Sequence, residues 1–306
     1  MIKVSLPGII VIMFLSEEKI IDLEKKANDI RESIISMLVE AGSGHTAGPL
    51  GMADIFTLFY FHILKHDPQN PSWEKRDRLV LSNGHICPVF YATMAHAGYF
   101  PLEELKTLRK FGTRLQGHPH REYLPYVETS SGPLGLGLSQ AIGMALADRM
   151  DWKDPAKDGA SKDRFIYCFM SDGEQDEGNT WEAIMFAGKN KLRNLIAVVD
   201  RNNIQIDGFT ENVMPLEPLA DKWRAFNWHV IEVSGHDFRA LNEAVEEAQA
   251  VYEKPTVIIA HTIPGKGVRE FERDYKWHGK PPSKEEAKMA LHELRTLGGK
   301  IKSEHE

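Results

Sequence analysis

Two apolar runs, separated by a helix-length spacer, constrain this chain more than any other feature. Phe165-Ile166-Tyr167-Cys168-Phe169-Met170 ends in Ser171-Asp172-Gly173, and Leu195-Ile196-Ala197-Val198-Val199 ends in Asp200-Arg201-Asn202-Asn203. Short runs of β-branched and aromatic residues bounded by turn residues predict strands. The stretch between them predicts a helix, so the unit is strand–helix–strand with the strands parallel. The loops that follow parallel strands emerge at one edge of the sheet. Asp172 and Asn202 stand in those loops, thirty residues apart. Asp-Gly and Asn-Asn are also common turn dipeptides. Placed together at two strand ends, their oxygens can meet on one small ion. A hard divalent cation takes a few oxygen ligands and completes its shell with phosphate and water. The pattern therefore suits a chain that holds a diphosphate through a metal.

The remaining elements extend the same architecture. Ser16 fits a helix N-cap with Glu17 and Glu18 in the first turn, and Ile20, Leu23, Ala27, Ile30, Ile34 and Leu38 continue the helix at helical spacing. Gly42 and Gly44 end it and open a loop holding His45. Met52–Leu64 reads as a helix, Arg78–Leu81 as a strand, Ile86–Ala97 as a helix and Leu102–Phe111 as a surface helix. Gly112–Gly137 is irregular and rich in Gly, Pro and His, the composition of a functional loop. Ser139–Met150 reads as a helix and Lys153–Arg164 as a charged surface loop. Trp228–Val233 and Thr256–His261 are strands flanking a helix over Phe238–Tyr252, and Ser283–Leu297 is a charged helix. Strands alternating with helices predict an α/β fold, a parallel sheet with helices on both faces. No internal repeat is visible. The organisation expected is an apolar extension over residues 1–15, one large domain over 16–283, and a charged helix and tail over 284–306.

Bulk properties narrow the class. A length of 306 residues can bury a substantial core. The net charge of −7 gives no electrostatic reason to expect a nucleic-acid partner. Val4–Leu15 is too short to span a bilayer and is interrupted by Pro7-Gly8. Without a small-residue cleavage site after it, it reads as a dispensable extension with Met13 as the expected start. Cys87 and Cys168 each lie among apolar residues, so they are expected to be reduced core groups in the cytoplasm. No CxxC or HExxH spacing points to structural zinc.

Histidine supplies the second constellation. His45, His85, His118 and His278 each adjoin glycine, as Gly44-His45, Gly84-His85, Gly117-His118-Pro119 and His278-Gly279. Such contexts predict loops that can turn an imidazole toward a ligand, where it donates to phosphate or carries a proton. His62, His66, His96 and His120 lack this support and read as structural or surface groups. Gly132-Pro133-Leu134-Gly135-Leu136-Gly137 opens a helix but follows no strand and has Gln140 at the last motif position, which argues against a dinucleotide fold. Gly173 has no Cβ, so its amide can approach a phosphate closely. Glu177 and Glu182 fit a solvated helix start. Lys266 fits a phosphate contact or a surface turn equally.

Asp172-Gly173, the spacer and Asn202 resemble the thiamine diphosphate motif, with Ser171 where the motif has glycine. That departure concerns a backbone position and removes no ligand. Ser43-Gly44-His45 with Gly48-Pro49-Leu50-Gly51, Leu81-Ser82-Asn83-Gly84-His85, Gly117-His118-Pro119 and Gly132-Pro133-Leu134-Gly135 look like the successive blocks of transketolase, in that family's order. The likeness is to the amino-terminal, diphosphate-binding half. It implies a thiamine diphosphate-binding domain with Mg2+, replaceable by Ca2+ or Mn2+, on Asp172, Asn202 and the backbone carbonyl of Ile204. It implies that His85, Gly132, Leu134, Gly173, Asn202 and His278 contact the cofactor. His45 and His118 would face the sugar's hydroxyls, and Glu177 and Glu182 a subunit interface.

In the resembled family, cofactor activation needs a glutamate from a second α/β domain, and nothing after His278 fits it. The resemblance therefore implies the first subunit of a two-gene transketolase, inactive alone. Its partner would be a carboxy-terminal subunit with the pyrimidine-binding domain. The pair would form a heterotetramer that transfers a two-carbon ketol unit between sugar phosphates in the pentose phosphate pathway. A deletion fragment would read the same way. An unusual-sugar transketolase, the α subunit of a 2-oxo-acid dehydrogenase and a non-catalytic regulatory subunit stay open as alternatives.

Overall fold

A computed structural model describes residues 15–152 and 164–296. Its strands are β1 (Arg78–Leu81), β2 (Ile166–Ser171), β3 (Leu195–Arg201), β4 (Ile204–Gln205), β5 (Gly208–Phe209), β6 (His229–Ser234) and β7 (Thr256–His261). Five of them form one parallel sheet in the order β1-β2-β3-β7-β6, while β4 and β5 make a small antiparallel hairpin. The helices are α1 (Glu17–Ala41), α2 (Ala47–Gly51), α3 (Ala53–Leu58), α4 (Cys87–His96), α5 (Leu136–Trp152), α6 (Gly178–Asn190), α7 (Thr210–Val213), α8 (Leu219–Ala225), α9 (Phe238–Ala250) and α10 (Lys284–Thr296).

Alternation along the strands builds two cores. Tyr167, Phe169, Ile196, Val198, Ile258 and Ala260 face one cluster with apolar residues of α1, α3, α4, α9 and α10. Ile166, Cys168, Met170, Leu195, Ala197, Val199, Val257 and Ile259 face the other, with α5, α6 and Trp223 of α8. A parallel strand covered on both faces needs a continuous apolar run, and all seven residues of β3 are buried. Edge-to-face rings lock the first core, with Phe169 5.0 Å from Phe56 and 4.8 Å from Phe59. Each such pair adds about 0.5–1.5 kcal/mol beyond area burial. The sheet is thus a rigid base for the loops at its edge.

The expected strands are all present, and helices lie on both faces. Ser16 caps α1 by accepting from the Lys19 amide at 3.2 Å. Cys87 and Cys168 are free and buried. Other expectations need correction. Leu102–Phe111 is no regular helix: a 3-10 stretch covers Leu102–Thr107, and Arg109 has a left-handed φ of 59°. That turn lets the Arg109 amide reach the Leu115 carbonyl at 2.9 Å. The loop opened by Gly42 and Gly44 does hold His45 but is short, giving way to α2 at Ala47, and Met52–Leu64 divides into α3 and a π turn over Phe59–Ile63. The β4–β5 hairpin, α7 and α8 were unforeseen, because their short segments carry no sustained periodicity. The extension to residue 14, the charged loop over 153–163 and the tail after 296 lie outside the described residues. No helix among the described residues is long and apolar enough to cross a membrane.

Candidate active site

Strand register gathers the functional loops. Ser171 of β2 stands opposite Asp200 of β3, and Arg201 of β3 opposite His261 of β7. The turns after β1, β2, β3 and β7 therefore leave the sheet at one edge and carry His85, Asp172, Asn202 and His278. His45 joins from the α1–α2 connection. Its ring centroid lies 4.9 Å from His85 and 5.4 Å from His278, and those two are 5.2 Å apart. Thr46 ties the connection to the His278 segment by donating to the Lys280 carbonyl at 2.6 Å. His118 approaches the same group from the exposed side, close enough for its charge to act on His45 and His85, and it lies beside Gly132, where a Cβ would stand 3.8 Å from its Cγ.

The irregular stretch that supplies His118 is fixed by its own anchors. Glu128 accepts from Arg76 at 2.6 and 2.9 Å and from Arg78 at 2.9 Å. Leu115, Leu124 and Val127 are buried beneath it. Immediately before His118, the Gly117 carbonyl accepts from Cys87 Sγ at 3.1 Å, and Gln116 from the Tyr91 hydroxyl at 2.9 Å. The loop is irregular in conformation yet held at both core and surface.

Electrostatics keeps the imidazoles neutral. Burial, then neighbouring His278, lowers His45 from 6.5 to about 4. Burial lowers His278 from 6.5 to about 4 as well, and holds His85 well below the usual range. At pH 7 the three therefore have both donor and acceptor capacity. Nδ1 of His45 and of His278 is buried with no protein partner, as are both polar atoms of the Asn83 carboxamide. Buried polar atoms seldom stay unpaired, so these nitrogens fit a polar ligand. One consequence concerns stability. The folded chain resists protonation of His45 and His278 between pH 6.5 and about 4, whereas the unfolded chain takes protons up. Stability is then present above 6.5 and lost as pH falls, at most about 1.4 kcal/mol per pH unit per group before solvent screening. The unfolding midpoint should fall over this window, and less steeply in a His45→Gln, His278→Gln double variant. Parallel curves for the two proteins would contradict the assignment.

The strand-end carboxylates form the second half of the site. Asp172 is 0% exposed. Its Oδ1 accepts from the Gly173 amide at 2.7 Å, and its Oδ2 from the Asn203 amide at 2.7 Å and Arg201 at 3.2 Å. A carboxylate has about four acceptor positions, so one remains for a cation. Asn202 gives its Nδ2 to Asp200 at 2.8 Å, which turns Oδ1 toward the Ile204 amide at 3.0 Å and leaves that oxygen a second lone pair. Burial pushes Asp172 up to about 6 and Asp200 to about 7, and the Asp172 charge adds to the rise at Asp200. Two buried carboxylates with spare oxygen capacity fit a hard divalent cation. The Gly173 amide is occupied by its neighbour's carboxylate, so a phosphate would share it.

Three residues here escaped the sequence reading. Asp200 orients Asn202. Arg201, 3% exposed, ties Asp172 to Thr210, Glu211 and Glu217. Glu174, 0% exposed, accepts from Ser82, Gly135 and Ser171. Asp200 and Arg201 close β3 and Glu174 lies in the turn after β2, but only the packed loops show what each touches. Lys266 is buried at 4% exposure, which removes the surface-turn reading. A polar relay stands behind it. His236 accepts from the Ile263 amide at 2.8 Å on Nε2, so Nδ1 carries the proton and donates to Asp54 at 2.7 Å. Burial raises Asp54, but Arg31 at 2.7 Å and His236 more than offset it and hold its carboxyl far below the usual range. Glu177 and Glu182 are exposed, beside exposed Met185 and Phe186 on α6.

A parallel α/β sheet with buried, oxygen-rich strand-end turns and a neutral histidine cluster at one edge has the architecture of a cofactor-binding domain. Comparison with known proteins identifies its family. The model of the transketolase thiamine diphosphate-binding domain matches residues 23–298, and the chain belongs to that family. It is similar to the 6-deoxy-6-sulfo-D-fructose transketolase subunit of Clostridium sp. (strain MSTE9), with 43% identity over 92% of this chain and 99% of that protein. It is also similar to an apulose-4-phosphate transketolase subunit from Phocaeicola vulgatus, with 37% identity over 92% of this chain and 97% of that protein. Among solved structures, transketolase from Leishmania mexicana superposes with a TM-score of 0.84 at 35% identity, over 89% of this chain. The chain spans 41% of that longer transketolase.

Proposed function

We propose that this chain is the thiamine diphosphate-binding subunit of a two-chain transketolase. The observation that carries the reading is the convergence of His45, His85, His118 and His278 with Asp172 and Asn202 at one sheet edge. Two relatives named as subunits match along 99% and 97% of their length, which supports a division between two chains. In this reading Mg2+ sits on Asp172, Asn202 and the Ile204 carbonyl. The diphosphate lies against Gly173, Asn202, His85 and His278, and the aminopyrimidine beneath Gly132 and Leu134. When bound, thiamine diphosphate supplies a carbanion equivalent at its thiazolium C2.

The protein's part is positioning and proton handling. Neutral His45, His85 and His278 accept or return the hydroxyl protons of a sugar, and Nδ1 of His45 and of His278 has no protein partner to displace. His118 binds a substrate hydroxyl at the entrance. The partner subunit contributes the pyrimidine-facing acid and most of the sugar-phosphate contacts. We infer self-association through α6, where Met185 and Phe186 are 54% and 46% exposed beside Glu182, and assembly into a heterotetramer. Two buried free cysteines suit a cytoplasmic enzyme. Which ketose and aldose phosphates are used, including those of the pentose phosphate pathway, is set with the partner. The relatives act on different sugars by their names.

The histidine roles separate by kinetics. His118→Ala should raise KM for the donor or acceptor by about 1–3 kcal/mol of lost hydrogen bonding, with cofactor affinity retained. His85→Ala should impair cofactor retention or kcat instead. Identical profiles for the two variants would refute this division.

A further inference from the structure

Glu174 is buried among loops of the site, and no basic side chain pairs with it among the described residues. Its Oε1 accepts from the Ser82 hydroxyl and from the Gly135 amide at 2.5 Å, and its Oε2 from the Ser171 amide at 3.2 Å. Ser82 Oγ accepts in turn from the Gly137 amide at 3.0 Å. Every partner of the carboxylate is a donor, as an ionised group requires. Gly135 and Gly137 flank the first residue of α5, where free amides and the helix dipole favour negative charge. Glu174 therefore caps α5 from another part of the chain. Its own backbone is fixed as well, since its carbonyl accepts from Thr180 Oγ1 at 3.1 Å and the Glu177 amide at 3.2 Å.

The anchors described for the irregular stretch lie before Gly132, and the loop beyond them carries two conformationally permissive glycines. Gly132 and Gly135 have φ of 153° and 80°, conformations that glycine adopts freely and leaves freely. A loop ordered only on binding would charge that ordering against cofactor affinity. We propose that Glu174 is a positioning residue that locks the Gly132–Gly137 loop to the Asp172–Gly173 turn, so that the contacts for the two ends of the cofactor are held in register before it arrives. The second part rests on the reading of Gly132, Leu134 and Gly173 as thiamine diphosphate contacts. The first part rests on the hydrogen bonds alone.

The test uses the full chain and three variants. Glu174→Gln keeps the acceptor for Ser82 and Gly135 but sets an NH2 against the Ser171 amide. Glu174→Ala leaves three buried donors unpaired, and Ser82→Ala releases only the Gly137 amide. Amide hydrogen exchange on the cofactor-free protein is the first readout. Exchange at Gly135–Leu138 should accelerate by about tenfold in Glu174→Gln and more in Glu174→Ala. Ser82→Ala should act at Gly137 and spare Gly135. Phe169 and Val198 in the sheet should exchange at wild-type rates in all three. Isothermal titration with thiamine diphosphate and Mg2+ should then show affinity reduced about tenfold in Glu174→Gln. Unchanged loop exchange, or acceleration spread evenly over the sheet, would overturn the lock. Faster loop exchange with wild-type cofactor affinity would overturn its role toward the cofactor. If the wild-type chain binds no thiamine diphosphate even with its partner subunit present, the functional reading fails, while exchange still decides whether the lock exists. Should Glu174→Ala not fold, the other two variants carry both measurements.

Discussion

Asp172→Ala should abolish Mg2+-dependent binding of thiamine diphosphate in the assembled enzyme. The carboxylate is wholly buried and keeps one acceptor position beyond the three its neighbours fill. In the proposed site it is the charged ligand of the cation, and the cation is the main counter-charge of the diphosphate. Its removal also takes from Arg201 its one fully buried carboxylate partner. Losing an outer partner of a metal ligand costs roughly 10–100-fold in affinity, which is the range expected for Asp200→Ala through its hold on Asn202. Losing the ligand itself should exceed about 100-fold, with Asn202→Ala between the two. A chelator should release the cofactor from the wild-type enzyme. Titration that finds wild-type affinity in Asp172→Ala would remove the metal assignment.

The second large effect concerns assembly. If the cofactor lies between this chain's Asp172–Asn202 edge and a pocket of the partner, binding and association are thermodynamically linked. Thiamine diphosphate and Mg2+ should then stabilise the complex more than the isolated chain. At ligand about 100-fold above its dissociation constant, the linkage contributes about 2.7 kcal/mol. A weaker site in the isolated chain gives correspondingly less. Unfolding midpoints of the chain, the partner and the mixture, each with and without cofactor, measure this. Equal shifts for chain and mixture would place the whole binding site on this chain and contradict a shared one.

How far the sequence foretold this arrangement differs by element. The strands of the sheet were legible because a strand covered on both faces must be a short apolar run ended by turn residues, as Leu195–Arg201 is. The meeting of Asp172 and Asn202 was legible because parallel strands bring their following loops to one edge, while the spacer and the motif blocks around them singled out this pair from ordinary turn residues. The histidines were legible as loop residues next to glycine. That His45, His85 and His278 pack ring to ring is a tertiary fact, as is the bond from Thr46 to Lys280 that joins two of their segments across more than two hundred residues. Glu174 and Arg201 were not legible, because a carboxylate in a turn and an arginine at a strand end read as solvated groups until burial and partners are known. The surface helix expected after Pro101 failed for a local reason. Arg109 takes a left-handed turn to meet Leu115, and periodicity carries no trace of that bond.

The most direct test of the two-chain reading is ketol transfer from xylulose 5-phosphate to ribose 5-phosphate, with saturating thiamine diphosphate and Mg2+. It should be measured for this chain alone, for a partner chain carrying the pyrimidine-binding domain alone, and for the two mixed, with the donor varied if this pair proves inert. The expected result is turnover in the mixture and none from either chain by itself. Robust turnover by this chain alone would contradict the reading.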